Sequence, residues 1–221
     1  MRHSAEEQAN TAPRIIDCGL ADYRGILARQ HELCELRRLG EIPDTVIVVE
    51  HHAVITLGAR RSANRLLVER AELARRNIDV VEIRRGGGTT AHNPGQLVFY
   101  PILHLQELGL GIGEYVRTLE TIGIELLGQL GVRGEQRKGL VGLWVGEKKI
   151  ASIGVRVSRF VTHHGMAINI RNDLSIFEAM VPCGLEGVEM TSVLKETGKR
   201  PSMAGVKKRL FSLLRRHLGR G

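Results

Sequence analysis

Residues 85–101 read RGGGTTAHNPGQLVFYP, and this stretch governs how the rest of the chain is interpreted. Three glycines follow two arginines at the end of a β-branched run, Val80, Val81 and Ile83. Two threonines, a histidine, an Asn-Pro-Gly turn and a glutamine lead into a second apolar run, Leu97–Tyr100. Glycine admits backbone conformations closed to other residues and lets a ligand or a neighbouring chain come close. A tight polar loop between two strands also exposes amide N–H groups. A plain hairpin loop is the alternative, and the polar side chains packed beside the glycines favour a site. Because Gly86–Gly88 leads from strand into strand, it is not the G-x-G-x-x-G strand-to-helix fingerprint, and no G-x-x-x-x-G-K-[ST] phosphate loop occurs elsewhere. Gly109, Gly111 and Gly113 alternate without that setting too.

Moving outward, Arg14–Cys18 has the pattern of a short strand. Residues 23–39 carry Ile26, Leu27, Leu33 and Leu36 at helical spacing, with Cys34 beside that stripe. Residues 45–50 and 53–57 are strand-like around His51 and His52, residues 69–77 a short helix and residues 78–84 a strand. Val116, Leu119, Ile122, Leu126 and Leu130 mark a helix over 113–130. Residues 143–145, 149–157 and 161–170 read as strands, and 151–158 alternates apolar with polar as a half-buried strand does. A closing helix has Pro201 in its first turn and Met203, Val206, Leu210 and Leu213 as its buried stripe. No repeat or linker divides the chain, so a loose tail over 1–13 and a single domain over 14–221 are expected. Strands come both in adjacent pairs and separated by helices. That order predicts an α/β fold with a mixed sheet and packed helices, not a parallel doubly wound sheet.

At 221 residues the chain can bury a substantial core. No apolar run reaches the eighteen or so residues of a membrane span. The polar opening lacks the apolar centre of a secretory signal. Three cysteines without close pairing argue against a disulfide framework, and together these features predict a cytoplasmic protein. The net charge of +8 resides in residues 199–221, which hold eight Lys or Arg and no acid; the remainder has 24 basic and 24 acidic residues. A basic surface steering an acidic partner and a solvated helix face both fit. With eight aromatics and no basic-aromatic interleaving, nucleic-acid binding is not expected. Nor is a metal, since HxH, HExxH and CxxC are all missing.

Cys183 lies in Val-Pro-Cys-Gly, where proline biases the preceding residue toward extended geometry and glycine frees the far side. Such a bracket presents one thiol on a sharply turned backbone; a buried structural cysteine is the alternative. Cys18 and Cys34 sit inside regular elements and read as structural. An ordinary thiol is only a few per cent ionised at neutral pH, so a nucleophile needs a basic neighbour. His163 and His164 would give a Cys–His pair like that of papain-like proteases, and Lys148 or Lys149 a Cys–Lys pair. Adjacent strand residues face opposite ways, so only one of the two lysines points into a site. His92 either orients the glycine loop or contacts substrate.

Taken together, these residues resemble the octanoyltransferase family, also called lipoate-protein ligase B. The matching pieces are Arg85-Gly86-Gly87 with Thr90 and His92, Pro94–Val98 with Tyr100-Pro101, Lys149–Arg156, His164–Asn169 and Pro182-Cys183-Gly184, in order across about residues 46–192. The resemblance implies a biotin/lipoate protein ligase-like fold and a ping-pong acyl transfer without ATP, metal or other cofactor. Cys183 would be the nucleophile and Lys149 its proton partner. Arg85, Gly86, Gly87, Gly88, Thr89, Thr90, Ala91, His92, Ser152, Ile153, Gly154, His164, Gly165, Met166 and Ala167 would line the acyl slot. The implied donor is octanoyl-acyl carrier protein, and the implied acceptors are lipoyl domains of 2-oxoacid dehydrogenases and the glycine cleavage H protein; the basic C-terminal helix would dock either. Two departures stand out. Ala91 replaces a large aromatic, which predicts a wider acyl tunnel, and Asn93 replaces a glycine, where asparagine's tolerance of positive φ would preserve the turn. An ATP-dependent lipoate or biotin ligase, a non-catalytic carrier- or nucleic-acid-binding module, and a Cys–His hydrolase are the rival readings.

Overall fold

The computed structural model describes residues 12–219, Cys183 by its backbone alone. Most of the expected tail, residues 1–11, lies outside the described residues, as do Arg220 and Gly221 of the basic terminus. In chain order the elements are β1 (Arg14–Ala21), α1 (Tyr23–Arg38), β2 (Thr45–His51), β3 (Val54–Leu57), α2 (Arg70–Arg75), β4 (Asp79–Glu82), β5 (Thr90–His92) and β6 (Gln96–Ile102). There follow α3 (Ile112–Gln129), β7 (Glu135–Arg137), β8 (Leu140–Val145), β9 (Lys148–Ser158), β10 (Val161–Asn169), α4 (Val193–Thr197) and α5 (Met203–Leu218).

The strands form two sheets, one of seven strands ordered β1-β2-β6-β10-β9-β8-β7 and one of three ordered β4-β3-β5. Both are mixed: β1 pairs β2 and β3 pairs β4 in parallel, and the other pairs are antiparallel. The unbroken apolar runs of β2 and β6 reflect burial on both faces. Val46, Val48, Leu97 and Phe99 pack with Leu119, Ile122, Leu210 and Leu213 in one core. Ile47, Val49, Val98 and Tyr100 pack with Ile26, Leu33 and Cys34 of α1 on the other side. A third core joins the small sheet to the 174–190 segment through Ile55, Ala91, Phe177 and Met180.

Local chemistry moved several boundaries from where periodicity put them. The second helix ends early because Asn77 takes a left-handed φ of 54° just beyond it, a common way to terminate a helix. Pro201 falls outside the last helix, whose N-cap is Ser202 with its hydroxyl accepting from Gly205 N. The glycine-rich loop is not one continuous loop: Thr90–His92 breaks it as a strand on β3, a segment too short for periodicity to reveal.

The basic C-terminus is not a uniform charged face. Lys207 is buried, with Nζ 2.8 Å from Asp17 and 3.8 Å from Glu50, and so ties α5 to the β1–β2 edge. Arg209 donates to the Gln129 carbonyl, and Arg216 pairs with Glu125. Lys199, Arg200, Lys208, Arg209 and Arg215 are the described cations of this stretch that are exposed and form no ion pair. Lys207→Met should cost about 1–2 kcal/mol in a denaturant titration, since Asp17 is partly open to solvent and screening reduces the loss. An unchanged midpoint would remove the tie from the fold.

Candidate active site

The glycine loop is set against two neighbours by backbone bonds. Ala59 N donates to Arg85 O (2.9 Å), Arg60 N to Gly87 O (3.2 Å) and Gly86 N to Val155 O (3.0 Å). Arg85 turns inward and clamps the loop, donating to Thr56 Oγ1 (2.7 Å), Thr56 O (3.1 Å) and Gly86 O (3.0 Å). Between this loop and β6, β9 and β10 lies a slot of about 30 Å³. Its wall contains Arg85, Gly87, Thr90, His92, Ser152, Ile153, Gly154, His164, Gly165, Met166 and Ala167. As it stands it holds one or two water-sized bodies, so an acyl chain enters only if flexible walls such as Met166 give way. Gly87, Ile153 and Gly154 are shared with an outer cavity of about 300 Å³, where Lys149, Gly86, Val116, Leu140, Val141, Arg60 and Leu185 meet.

Four expected slot residues sit elsewhere, Gly86 among them, which lines the outer cavity. On β5 Thr90 and His92 face the slot, so the intervening Ala91 faces the third core. Ala91 therefore does not widen the slot. Gly88 packs against Ala63, and Thr89 Oγ1 accepts from Arg65 N at 3.0 Å. Nor does Asn93 rescue the turn through positive φ. The left-handed residue is Gly95 (φ 90°), while Asn93 donates to Asp173 O at 2.7 Å and accepts from Asn172 Nδ2 at 3.0 Å.

Tyr23, Val98 and Tyr100 also line the slot and went unnoticed in the sequence as site residues. Tyr100 lies within the quoted motif, but Tyr23 opens a helix remote in sequence and carries no local signal. The histidines nearby are neutral. Burial holds His51 down to about 4 and both His92 and His164 to about 3. His92 Nδ1 is 2.7 Å from Gln96 Oε1, and Gln96 is fixed in turn by donating to Asn169 Oδ1 (2.9 Å). His51 Nε2 is 2.8 Å from the Tyr100 hydroxyl. His163 points instead to Cys34, Nδ1 to Sγ 3.3 Å, where burial pushes the thiol up to about 12 and leaves it inert.

These imidazoles make stability depend on pH. Unfolded, each takes a proton near pH 6.5; folded, each refuses it until about pH 4 or 3. The unfolded chain thus binds more protons as pH falls below 6.5. Stability is full above that value and declines on acidification, by about 1 kcal/mol or more per imidazole at pH 5. Denaturant midpoints at neutral pH and at pH 5 measure this, and equal midpoints would mean that the histidines are not buried neutral.

Lys149 is 2 % exposed, and its Nζ donates to Val141 O at 3.1 Å and lies 5.3 Å from the centre of the Trp144 ring. Lys148 turns the other way, toward Glu196 at 3.6 Å, as strand alternation requires. Cys183 lies in a 3₁₀ turn, Pro182–Gly184, preceded by extended Val181 (φ −92°, ψ 109°) and ended by left-handed Gly184 (φ 72°). Leu185, next along, lines the outer cavity with Lys149. The chain then runs back onto β9: Lys149 N donates to Glu189 O (2.8 Å) and Thr191 N to Lys149 O (2.9 Å). Among the described residues no cluster of three or more His, Cys, Asp or Glu is arranged for a metal, and no helix is long and apolar enough to cross a membrane.

The family model described as the lipoyl protein ligase A/B catalytic domain matches residues 22–215. An octanoyltransferase of Syntrophobacter fumaroxidans is 43% identical over 202 residues, covering 91% of this chain and 89% of that protein. One of Chloroflexus aggregans is 44% identical over 203 residues, covering 90% and 92%. Among solved structures, lipoate-protein ligase A bound with ATP superposes with a TM-score of 0.79 at 17% identity, covering 94% of this chain and 86% of that one. The biotin protein ligase of Aquifex aeolicus gives 0.55 at 13%, covering 94% and 69%. At such identities these two structures show a shared fold alone. The relatives and the family model show more: this chain belongs to the lipoyl protein ligase A/B catalytic-domain family and, within it, to the octanoyltransferases, which are acyltransferase enzymes.

Proposed function

We propose that the chain moves an octanoyl group in two steps through a thioester on Cys183, with Lys149 carrying the proton between them. In the first, the Cys183 thiolate attacks the carbonyl carbon of octanoyl-acyl carrier protein, the carrier sulfur leaves, and the Lys149 ammonium supplies its proton. In the second, a lysine amine of a lipoyl domain or of the glycine cleavage H protein attacks the acyl-cysteine. The amide forms, the Cys183 thiolate is released, and the amine proton returns to Lys149. Backbone N–H groups around the glycine loop and the Pro182–Gly184 turn stabilise the developing oxyanion. The acyl chain lies along Ile153, Gly154 and Met166. The acyl group arrives activated, so no cofactor takes part, and a reducing cytoplasm suits the free thiol.

The observation that carries this reading is the buried Lys149 side chain in a cavity that Leu185, two residues past the proposed nucleophile, also lines. Incubation with octanoyl-acyl carrier protein alone, followed by denaturation and mass measurement, tests it. The expected product is one octanoyl adduct on the Cys183 peptide, lost in Cys183→Ala. Acyl transfer that strictly requires ATP would instead identify an adenylating ligase. For carrier docking on α5, charge reversal at Lys208 and Arg215 is the suitable probe, because Lys207 is structural. Slower acylation at low salt is expected, and an unchanged rate moves docking elsewhere.

A further inference from the structure

We propose that Glu120 is a positioning residue for Lys149, acting through the peptide unit between Val141 and Gly142. The inference rests on the role given above to Lys149. One planar peptide joins the two side chains: its carbonyl, Val141 O, accepts from Lys149 Nζ at 3.1 Å, and its N–H, on Gly142, donates to Glu120 Oε1 at 3.5 Å.

The backbone here is bent out of the ordinary sheet ladder to make that connection. The register of β8 on β9 shifts between Leu143 and Trp144. Gly142 has φ 117°, a conformation that L side chains rarely adopt. A Cβ added there would stand 2.4 Å from Ala151 O and 3.0 Å from Lys149 Cε. With the peptide turned out of register, the Glu120 carboxylate takes its N–H.

Glu120 is otherwise hard to account for. It lies on α3 between Leu119 and Ile122, both fully buried, is itself 9% exposed, and forms no ion pair among the described residues. Burial raises its pKa, and the Gly142 N–H opposes that rise. A buried carboxylate costs stability unless something is gained by keeping it. Here the gain is a fixed carbonyl: a side-chain oxygen that accepts the N–H pins the peptide and, with it, the acceptor at its other end. The ammonium is thereby held in one place beside the outer cavity. Glu120 lines neither that cavity nor the slot, so its effect reaches the reaction only through Lys149.

The test compares single-turnover acylation by octanoyl-acyl carrier protein in the wild type, Glu120→Gln, Glu120→Met and Lys149→Met. Glu120→Gln keeps an oxygen acceptor, whereas Glu120→Met keeps length and helix propensity without one, so folding is preserved. The expected result is a maximal rate about tenfold lower in Glu120→Met, with half-saturating thioester unchanged, and a near wild-type rate in Glu120→Gln. Alkylation of the Cys183 peptide by iodoacetamide should slow in the same order. Wild-type rates in Glu120→Met overturn the proposal, and so do equal losses in both Glu120 variants, which would assign the effect to charge. If Lys149→Met itself acylates normally, the role of Lys149 fails first; if only Lys149→Met is impaired, the Glu120 inference alone fails.

Discussion

Replacing Lys149 with methionine is expected to lower acyl transfer about a thousandfold or more while leaving the protein folded. Methionine nearly matches the lysine stem in volume, and the side chain is buried against Trp144, so the substitution removes the ammonium without opening a void. On the mechanism proposed for Cys183 and Lys149, two losses then combine. A thiol with no cation beside it is mostly protonated at neutral pH and attacks correspondingly slowly. Proton transfer to the leaving carrier sulfur, and later from the acceptor amine, loses its carrier, and positioned acid–base groups typically contribute two to four powers of ten. Rapid-quench measurement of the octanoyl-enzyme reads both steps at once. Retention of more than about a tenth of the wild-type rate, with an unchanged melting curve, would leave His92 or His164 as the proton carrier, despite pKa values near 3.

The second large effect concerns folding. Gly165→Ala should destabilise the protein by about 4 kcal/mol or more, or prevent folding outright. Gly165 sits on β10, which pairs with both β6 and β9 at the centre of the large sheet. A Cβ there would stand 2.2 Å from Phe99 O and 2.9 Å from Pro101 Cδ. Neither obstacle is the far end of a flexible side chain. Phe99 lies on a fully buried strand, so relief requires two central strands to part, and close-packed interiors resist such shifts. His164, just before it, already takes φ 58°, which leaves the backbone little room to adjust. Equilibrium denaturation measures the loss, and a change below about 1 kcal/mol would mean that the strands separate cheaply. Where some protein folds, the same methyl group alters the slot wall, so reduced acylation should accompany reduced stability.

The two effects illustrate different kinds of information in the chain. The mixed sheet was legible in the sequence because strand patterns come both in adjacent pairs and separated by helical ones. Periodicity marked the helical stripes of α1, α3 and α5, and strand alternation allowed only one of Lys148 and Lys149 to face inward; the resemblance named Lys149, the one the fold buries. The motif pieces around Arg85, Lys149, His164 and Cys183 sufficed to place the chain in its family.

What the sequence could not supply depends on distance through space, which spacing along a chain does not encode. Nothing local in Ala91 reveals that it faces the third core, because β5 is only three residues long and its orientation is set by pairing with β3. Tyr23 reaches the slot from a helix that the fold lays across β6 and β10. Lys207, read as surface charge, is drawn inward by two carboxylates on strands far earlier in the chain. Residue type, turn chemistry and hydrophobic period were therefore determined by the sequence itself, since each is settled within a few residues. Packing decided which polar groups are buried and which wall each side chain joins, since burial and hydrogen bonding arise only when separate segments exclude water together.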